Sequence, residues 1–120
     1  MEYVVIVLQI VIALAIINVW ILRPGKSTNW RGGEAKSMRE EFAVYGLPVW
    51  FMYLIGFLKC LLAALLISGV WIPVLTMPAA VAMAVLMLGA LSMHVKVKDP
   101  LRKALPSFTM MILSLAVAIL

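Results

Sequence analysis

The sequence predicts an all-α membrane protein, with four transmembrane helices in one bundle and a short interfacial amphipathic helix between the first and second of them. Two observations support this fold class. Hydrophobic residues make up 66% of the chain and charged residues 12%, whereas a soluble domain is about half apolar and about one quarter charged. The apolar residues also form unbroken runs, which is typical of spanning helices and not of the alternating strands of a membrane barrel.

Four apolar runs define the predicted spans, which together form a single domain. They cover residues 3–22, 48–69, 75–94 and 105–120. Each is close to the roughly 20 residues that a helix needs to cross the hydrocarbon core. The first run has no basic stretch before it and its positive charge follows it, so we interpret it as a span and not as a signal peptide.

Prolines and the short-range spacing of apolar residues predict where two of the spans begin and where the interfacial helix lies. Pro48 and Pro106 are expected to open the second and fourth spans, because a proline in the first turn of a helix loses no hydrogen bond. Between the first two spans, apolar residues recur at spacings of three or four, which places them on one side of a helix. They are Ala35, Met38, Phe42 and Tyr45. This segment is too short and too charged to span, so we expect it to lie along the membrane surface.

The basic residues predict the orientation in the membrane. Nine of the ten lysines and arginines lie in the two connectors after the first and third spans. Such clustering is typical of cytoplasmic loops and not of a nucleic-acid-binding face. We therefore expect a multi-pass protein of a bacterial inner membrane, with both basic connectors cytoplasmic, facing anionic lipid, and both termini outside. Trp20, Tyr45, Trp50 and Tyr53 are expected at the same interface.

Lys59 is the main candidate functional residue. It lies about 16 Å along the second span from Pro48, near the middle of the bilayer. A lysine at that depth costs about 3 kcal/mol on insertion scales, and it usually faces the protein interior and marks a functional site or a partner. No acidic residue lies within any predicted span. The candidate acceptors for its hydrogen bonds are Gln9, Ser114, backbone carbonyls, Glu41 reaching in from the connector, or a ligand oxygen. The alternative is a structural lysine that extends along its helix or is neutral in the packing.

Small residues predict where the helices approach one another closely. In the second span, Lys59 is expected beside a stripe of small residues at a spacing of four, and Ala63 also flanks that stripe. The stripe consists of Gly56, Cys60, Ala64 and Ser68. The third span offers a similar set in Ala80, Ala84 and Gly89.

His94 and Cys60 are the only histidine and the only cysteine. A single histidine does not build a metal site without further ligands, so no metal is predicted. His94 is expected at the inner end of the third span, where it either makes an interfacial hydrogen bond or lines a ligand site. Cys60 is expected to be a packing residue, since burial in lipid disfavours the thiolate. The sequence contains no phosphate loop, nucleophile motif or acid pair, and a quinone is the one cofactor that we consider.

A series of short motifs runs in order along the chain: Glu41-Phe42, Tyr45-Gly46-Leu47-Pro48, Trp50, Ile55-Gly56, Lys59, Ala63, Met87-Leu88-Gly89-Ala90, His94 and Asp99-Pro100. This series resembles the DoxX-like family of small four-helix membrane proteins. Many relatives have a glutamate where this chain has Lys59, which reverses the charge at that position. The resemblance implies four packed helices. Some relatives look like membrane subunits of quinone-linked oxidoreductases acting on sulfur compounds, and distant animal relatives resemble assembly chaperones for nicotinic receptors.

Three functions are compatible with these residues. The first is a non-catalytic accessory or assembly subunit that packs against a membrane-protein partner or a second copy of itself. The second is a membrane subunit of a quinone-linked oxidoreductase, with Lys59 and His94 near a quinone or an anion. The third is a small solute transporter, similar in helix count to the small multidrug resistance family, although those proteins use a membrane-embedded acid and this chain has only a base at depth.

Overall fold

The computed structural model describes residues 2–22, 25, 33 and 35–120, and within them it contains helices and turns but no strand. The helices are α1 (Glu2–Ile17), which continues as a π-helical turn (Asn18–Leu22), α2 (Met38–Val44), α3 (Val49–Ser68), α4 (Thr76–Lys96), preceded by a 3-10 turn (Pro73–Leu75), and α5 (Leu101–Ile119). The predicted all-α fold is therefore confirmed.

Four helices in the described part of the chain are long and apolar enough to cross a membrane. They are Tyr3–Leu22, Val49–Ser68, Pro73–Lys96 and Leu101–Ile119. Between 17% and 28% of the residues in each span are buried within the bundle, so most of their apolar side chains face outward. Apolar surface on this scale is stable only in contact with lipid. The chain is a multi-pass membrane protein.

The four long helices form a ring in which α1 packs against α3, α3 against α4, α4 against α5, and α5 against α1. A buried apolar core fills the ring, drawn from all four helices: Ile12, Ala13, Ile16, Ala63, Leu66, Ala79, Ala80, Met83, Met87 and Val117. The short helix α2 adds a second cluster at one end, where Met38 and Phe42 pack against Met52.

Helix α2 has a well-defined start. The Ser37 hydroxyl accepts a hydrogen bond from the Glu40 amide (3.1 Å), and the Glu40 carboxylate accepts one from the Lys36 amide (2.7 Å). The Ser37 hydroxyl thus satisfies one amide that the first turn leaves unpaired, and the Glu40 carboxylate holds the residue just before the N-cap. The predicted apolar side of α2 is the buried side, and it faces the bundle.

The start of α5 differs from the prediction. The helix begins at Leu101 and continues through Pro106, so the expectation that Pro106 opens the span is wrong. Because Pro106 lies in the second turn, its missing N–H deprives only the carbonyl of Arg102 of a hydrogen bond. Asp99, which precedes a proline, has the sequence signature of a helix cap. In the structure, however, Pro100 occupies the N-cap position and no side chain caps the helix there.

The buried face of α3 is a row other than the predicted stripe. Met52, Gly56, Lys59, Ala63 and Leu66 are buried, at alternating spacings of four and three. A strict spacing of four drifts by about 40° per step around a helix. The predicted stripe therefore turns away from the buried face of α3. Of its four members, Gly56 is buried, Cys60 and Ser68 are half-buried, and Ala64 is exposed. On α4, likewise, Ala80 and Ala84 are buried but Gly89 is exposed.

Gly56 is buried because the Trp20 ring lies directly against it. A Cβ atom at position 56 would lie 2.7 Å from Cε3 of Trp20, which is closer than real contacts allow. We therefore expect Gly56→Ala to displace the ring and to destabilise the fold by about 1–3 kcal/mol, as overpacking does.

Gly89→Ala is the matched control, because a Cβ at position 89 has no heavy atom within 4 Å. Thermal unfolding in detergent, followed by circular dichroism and tryptophan fluorescence, compares the two variants. Equal midpoints would contradict the Trp20 contact.

Candidate functional site

A cavity of about 960 Å³ lies in the half of the bundle nearest the two basic connectors. Its size is at the upper end of the range for small-molecule sites. Apolar side chains from all five helices line it, among them Trp20, Phe42, Ile55, Met87 and Met110. Its titratable lining residues are Glu41, Tyr45, Lys59, His94 and Lys103.

The cavity is open at the surface of the bundle. Several residues that line it are also exposed, including Asn18 and Val19 at the end of α1, and Leu105 and Thr109 on α5. This opening lies within helices that span the membrane. The exposed lining residues therefore lie on apolar helices, on a side of the bundle that lipid would contact.

Lys59 extends from the buried face of α3 into this cavity and is 7% exposed. Its Nζ atom lies 5.3 Å from the centroid of the Trp20 ring, within the range of a cation–π contact. No residue in the described part of the chain accepts a hydrogen bond from this group, and Glu41 is the carboxylate that acts on it through space. An ammonium group carries three N–H donors, so Lys59 presents hydrogen-bond donors to the cavity.

Trp20 positions Lys59 from the other side. The π-helical turn at the end of α1 widens the helix, and Trp20 lies within it. The Trp20 ring packs against Gly56 and lies beneath the Lys59 ammonium. It meets the Phe42 ring edge-on, with 5.9 Å between the two ring centroids. Such π turns often occur at functional sites. The sequence analysis placed Trp20 only at the interface, because a π turn has no clear sequence signature.

Four side chains form a hydrogen-bonded series beside the cavity. The Tyr45 hydroxyl donates to the Glu41 carboxylate (2.7 Å) and lies 3.5 Å from Nε2 of His94. On the opposite edge of the imidazole, Nδ1 of His94 lies 2.8 Å from the Asp99 carboxylate. His94 and Asp99 side chains are each only 5% exposed. The carboxylate thus orients the ring so that Nε2 points towards Tyr45.

Polar contacts join the two basic connectors at this end of the bundle. Lys96 donates through Nζ to the carbonyl of Tyr45 (2.8 Å), and the Asp99 carboxylate accepts from the Gly33 amide (2.9 Å). Lys103 also donates to the Gly33 carbonyl. These bonds tie the segment around α2 to the turn between α4 and α5. Helix α2 is therefore fixed in place as the floor of the cavity.

The structure brings together three of the four ligand-site candidates named from the sequence. Lys59, Glu41 and His94 line one cavity. Gln9 lies elsewhere, because its amide nitrogen donates to the carbonyl of Leu66 (2.8 Å) and to the hydroxyl of Thr76 (3.3 Å), at the opposite end of α3. The expected contact of Gln9 with Lys59 is thus corrected.

The remaining predictions concern Ser114 and a possible metal site. Ser114 is buried with an unpartnered hydroxyl and does not line the cavity. Within the described residues, no group of three histidine, cysteine, aspartate or glutamate side chains is arranged to hold a metal ion. Tyr45, Asp99 and Lys103 were not singled out from the sequence as site residues. The motif that ends in Asp99-Pro100 was the available signal for Asp99.

The Tyr45 hydroxyl gives a direct test of the hydrogen-bonded series. Tyr45→Phe keeps the ring against Phe42 and His94 but leaves the Glu41 carboxylate without this donor. We expect a loss of about 1–3 kcal/mol of stability, the usual cost of removing a buried hydrogen-bond partner. Tyr53→Phe is the control, because the exposed Tyr53 hydroxyl only accepts from Arg39. If both variants unfold in detergent at the wild-type midpoint, the series contributes nothing to stability.

Comparison with known proteins is consistent with this architecture. No curated protein and no solved structure matches the chain. The DoxX-like family matches over residues 29–119, a range that contains α2 to α5 and every charged residue of the cavity. The resemblance seen in the sequence motifs is thereby confirmed. This multi-pass membrane protein belongs to the DoxX-like family.

Proposed function

We propose that this chain is a ligand-binding accessory subunit of a membrane complex, and that its cavity holds a lipid-soluble carbonyl compound of the quinone class. The observation that carries the proposal is the Lys59 ammonium, which is buried, faces the cavity and has no hydrogen-bond acceptor among the described residues. A buried donor without an acceptor costs about 1–3 kcal/mol. A ligand oxygen beside Lys59 removes that cost.

Three features favour a quinone over other acceptors. A quinone carbonyl accepts a hydrogen bond while the molecule remains neutral, so no additional charge enters an apolar cavity. The aromatic rings of Trp20 and Phe42 offer flat apolar contact for a quinone ring. The lateral opening suits a molecule that is dissolved in the bilayer.

The accessory role follows from what a quinone site needs. Reduction or oxidation of a quinone requires a partner that exchanges electrons with it. The cavity residues can bind and orient the ring and hold protons, which are the roles of a subunit that positions the quinone. We propose that a second membrane or membrane-associated subunit supplies the electron-transfer centre.

The orientation that we propose places both basic connectors in the bacterial cytoplasm. Their contacts at one end of the bundle support a common side. With Cys60 replaced by serine, a cysteine at Trp71, in the turn between α3 and α4, is expected to react with an impermeant maleimide in intact cells, and a cysteine at Lys98 only after permeabilisation. Both positions are exposed, so accessibility within the fold does not bias the comparison. The reverse labelling pattern would invert the proposed topology.

The function is tested by replacing the amine that carries the proposal. Lys59→Met retains a long side chain but removes the charged donor. A hydrogen bond from a charged group contributes about 1.5–3 kcal/mol, so we expect the affinity for quinone to fall by roughly 10- to 100-fold. The measurements are the quinone that co-purifies with the protein and the quenching of tryptophan fluorescence by added naphthoquinone.

Lys36→Met makes the same chemical change at an exposed site outside the cavity and is the control. It is expected to bind like the wild type. Undetectable quinone binding by the wild type, or equal binding by Lys59→Met, would overturn the proposed function.

A further inference from the structure

Lys59 differs from the other lysines that the structure describes in its burial and in its contacts. Its side chain is buried, and within the described residues its amine contacts the Trp20 ring but has no hydrogen-bond acceptor. Lys103 also lines the cavity, but its Nζ atom donates to the carbonyl of Gly33. The amine of Lys59 is therefore the one that the described part of the cavity leaves available to a bound molecule. The other described lysines are exposed or half-buried: Lys36, Lys96, Lys98 and Lys103.

A buried primary amine is the group that proteins use to form imines, or Schiff bases, with carbonyl compounds. Such lysines lie in apolar pockets, where little water competes for the amine. The cavity around Lys59 is of this kind, since most of its lining is apolar, including Phe51, Ile55 and Met110. Water hydrolyses imines, so a lining that excludes water also favours the condensed product over the free amine.

An imine would keep the positive charge where the fold already accommodates it. A protonated imine carries its charge on Nζ, the same atom as in the ammonium. The Trp20 ring, whose centroid lies 5.3 Å from Nζ, and the Glu41 carboxylate, which acts through space, therefore stabilise both forms. The protonated imine has one N–H where the ammonium has three, so fewer donors need an acceptor within the cavity.

The surroundings of the cavity determine which carbonyl compound suits this amine. Its exposed lining residues lie on apolar helices, on the side that lipid would contact, which favours a compound with a long apolar chain. The volume of about 960 Å³ is sufficient for such a chain. An aldehyde carbon bears a hydrogen atom and is less hindered than the ring carbon of a quinone, so an amine that only hydrogen-bonds a quinone can attack an aldehyde.

We propose that Lys59 captures long-chain aldehydes from the bilayer as a reversible imine within the cavity. In the net step a C=N bond replaces the C=O bond, and the carbonyl oxygen leaves as water with two of the three ammonium protons. The third proton stays on Nζ, so the charge is unchanged and no oxidant or reductant takes part. Water reverses the step. This activity goes beyond the proposed quinone binding but uses the same amine, so an aldehyde and a quinone exclude each other.

Reductive trapping tests the proposal on the full chain in detergent. The protein is incubated with dodecanal and cyanoborohydride, which reduces each imine to a stable secondary amine, and peptide mass spectrometry gives the modified fraction of each lysine. We expect Lys59 to be modified roughly tenfold or more above exposed Lys36 and Lys98. Propanal, which is soluble in water, is the matched probe and is expected to modify the exposed lysines in preference to Lys59.

Lys59→Arg retains the positive charge but forms no stable imine. Its total dodecanal adduct is expected to fall roughly tenfold, while propanal labelling of the exposed lysines stays at the wild-type level and reports an intact fold. Lys36→Met is the control and is expected to leave the Lys59 adduct unchanged, because Lys36 lies outside the cavity. A wild-type dodecanal pattern in which Lys59 is labelled no more than Lys36, or in which Lys103 is labelled instead, would overturn the inference. That result stands even if Lys59→Arg fails to fold.

Addition of naphthoquinone separates this inference from the proposed function. If naphthoquinone binds in a Lys59-dependent manner but dodecanal leaves Lys59 unmodified, the function stands and the inference fails. If dodecanal modifies Lys59 selectively but no quinone binds, the inference stands and the proposed function fails. If both bind, excess naphthoquinone is expected to slow the modification of Lys59. Modification at an unchanged rate would place the adduct outside the quinone cavity and overturn the inference.

Discussion

The ammonium of Lys59 imposes the constraint on which this part of the molecule depends. A charge in the middle of an apolar bundle is stable only where nearby groups compensate for its lost hydration. Here the compensation is incomplete: an aromatic face lies on one side, a carboxylate acts through space, and no hydrogen-bond acceptor from the described residues reaches the amine. The amine faces the cavity, whose lining otherwise consists mainly of apolar side chains.

The surrounding helices are arranged to keep that cavity from collapsing. Trp20 reaches Lys59 only because the helix widens at Asn18–Leu22 and because position 56 has no side chain. Helix α2 closes the end of the cavity and is held there by hydrogen bonds to the α4–α5 turn as well as by its apolar face. Apolar packing alone would allow α2 to slide. The directional bonds of Tyr45, Lys96 and Asp99 fix its position.

Much of the fold was predictable from hydropathy, since runs of about 20 apolar residues have few alternatives in a membrane. Two predictions that failed concern the start of α5, where a local sequence signature did not decide the position of the helix start. Asp99 has the sequence signature of a helix cap, yet its carboxylate binds His94 and the Gly33 amide. Pro106 looked like a helix start, but a helix tolerates proline in its second turn when only one carbonyl loses its donor.

The site was predictable in part for the same reason. The depth of Lys59 follows from counting along a helix, and the charge at that depth marks it as unusual. Its neighbours do not follow from counting, because they depend on which helices adjoin and how each is rotated. Counting residues along α1 places Gln9 at a depth in the membrane similar to that of Lys59. In the structure, however, its amide donates to Leu66 and Thr76 at the other end of α3. The rotation of α3 also decided that Ala63 is buried and Ala64 exposed.

The position of the cavity opening determines how occupancy depends on concentration. Exposed residues that line the cavity lie on α5 and on the turn that ends α1, in helices long and apolar enough to span a membrane, so a lipophilic occupant of the proposed site would exchange with the acyl-chain phase. The relevant concentration is then moles of ligand per mole of lipid. Dilution with buffer leaves this ratio unchanged for a strongly lipophilic molecule, whereas dilution with empty vesicles or extra detergent lowers it. Two-dimensional diffusion and partitioning, more than solubility, would control how quickly the site fills.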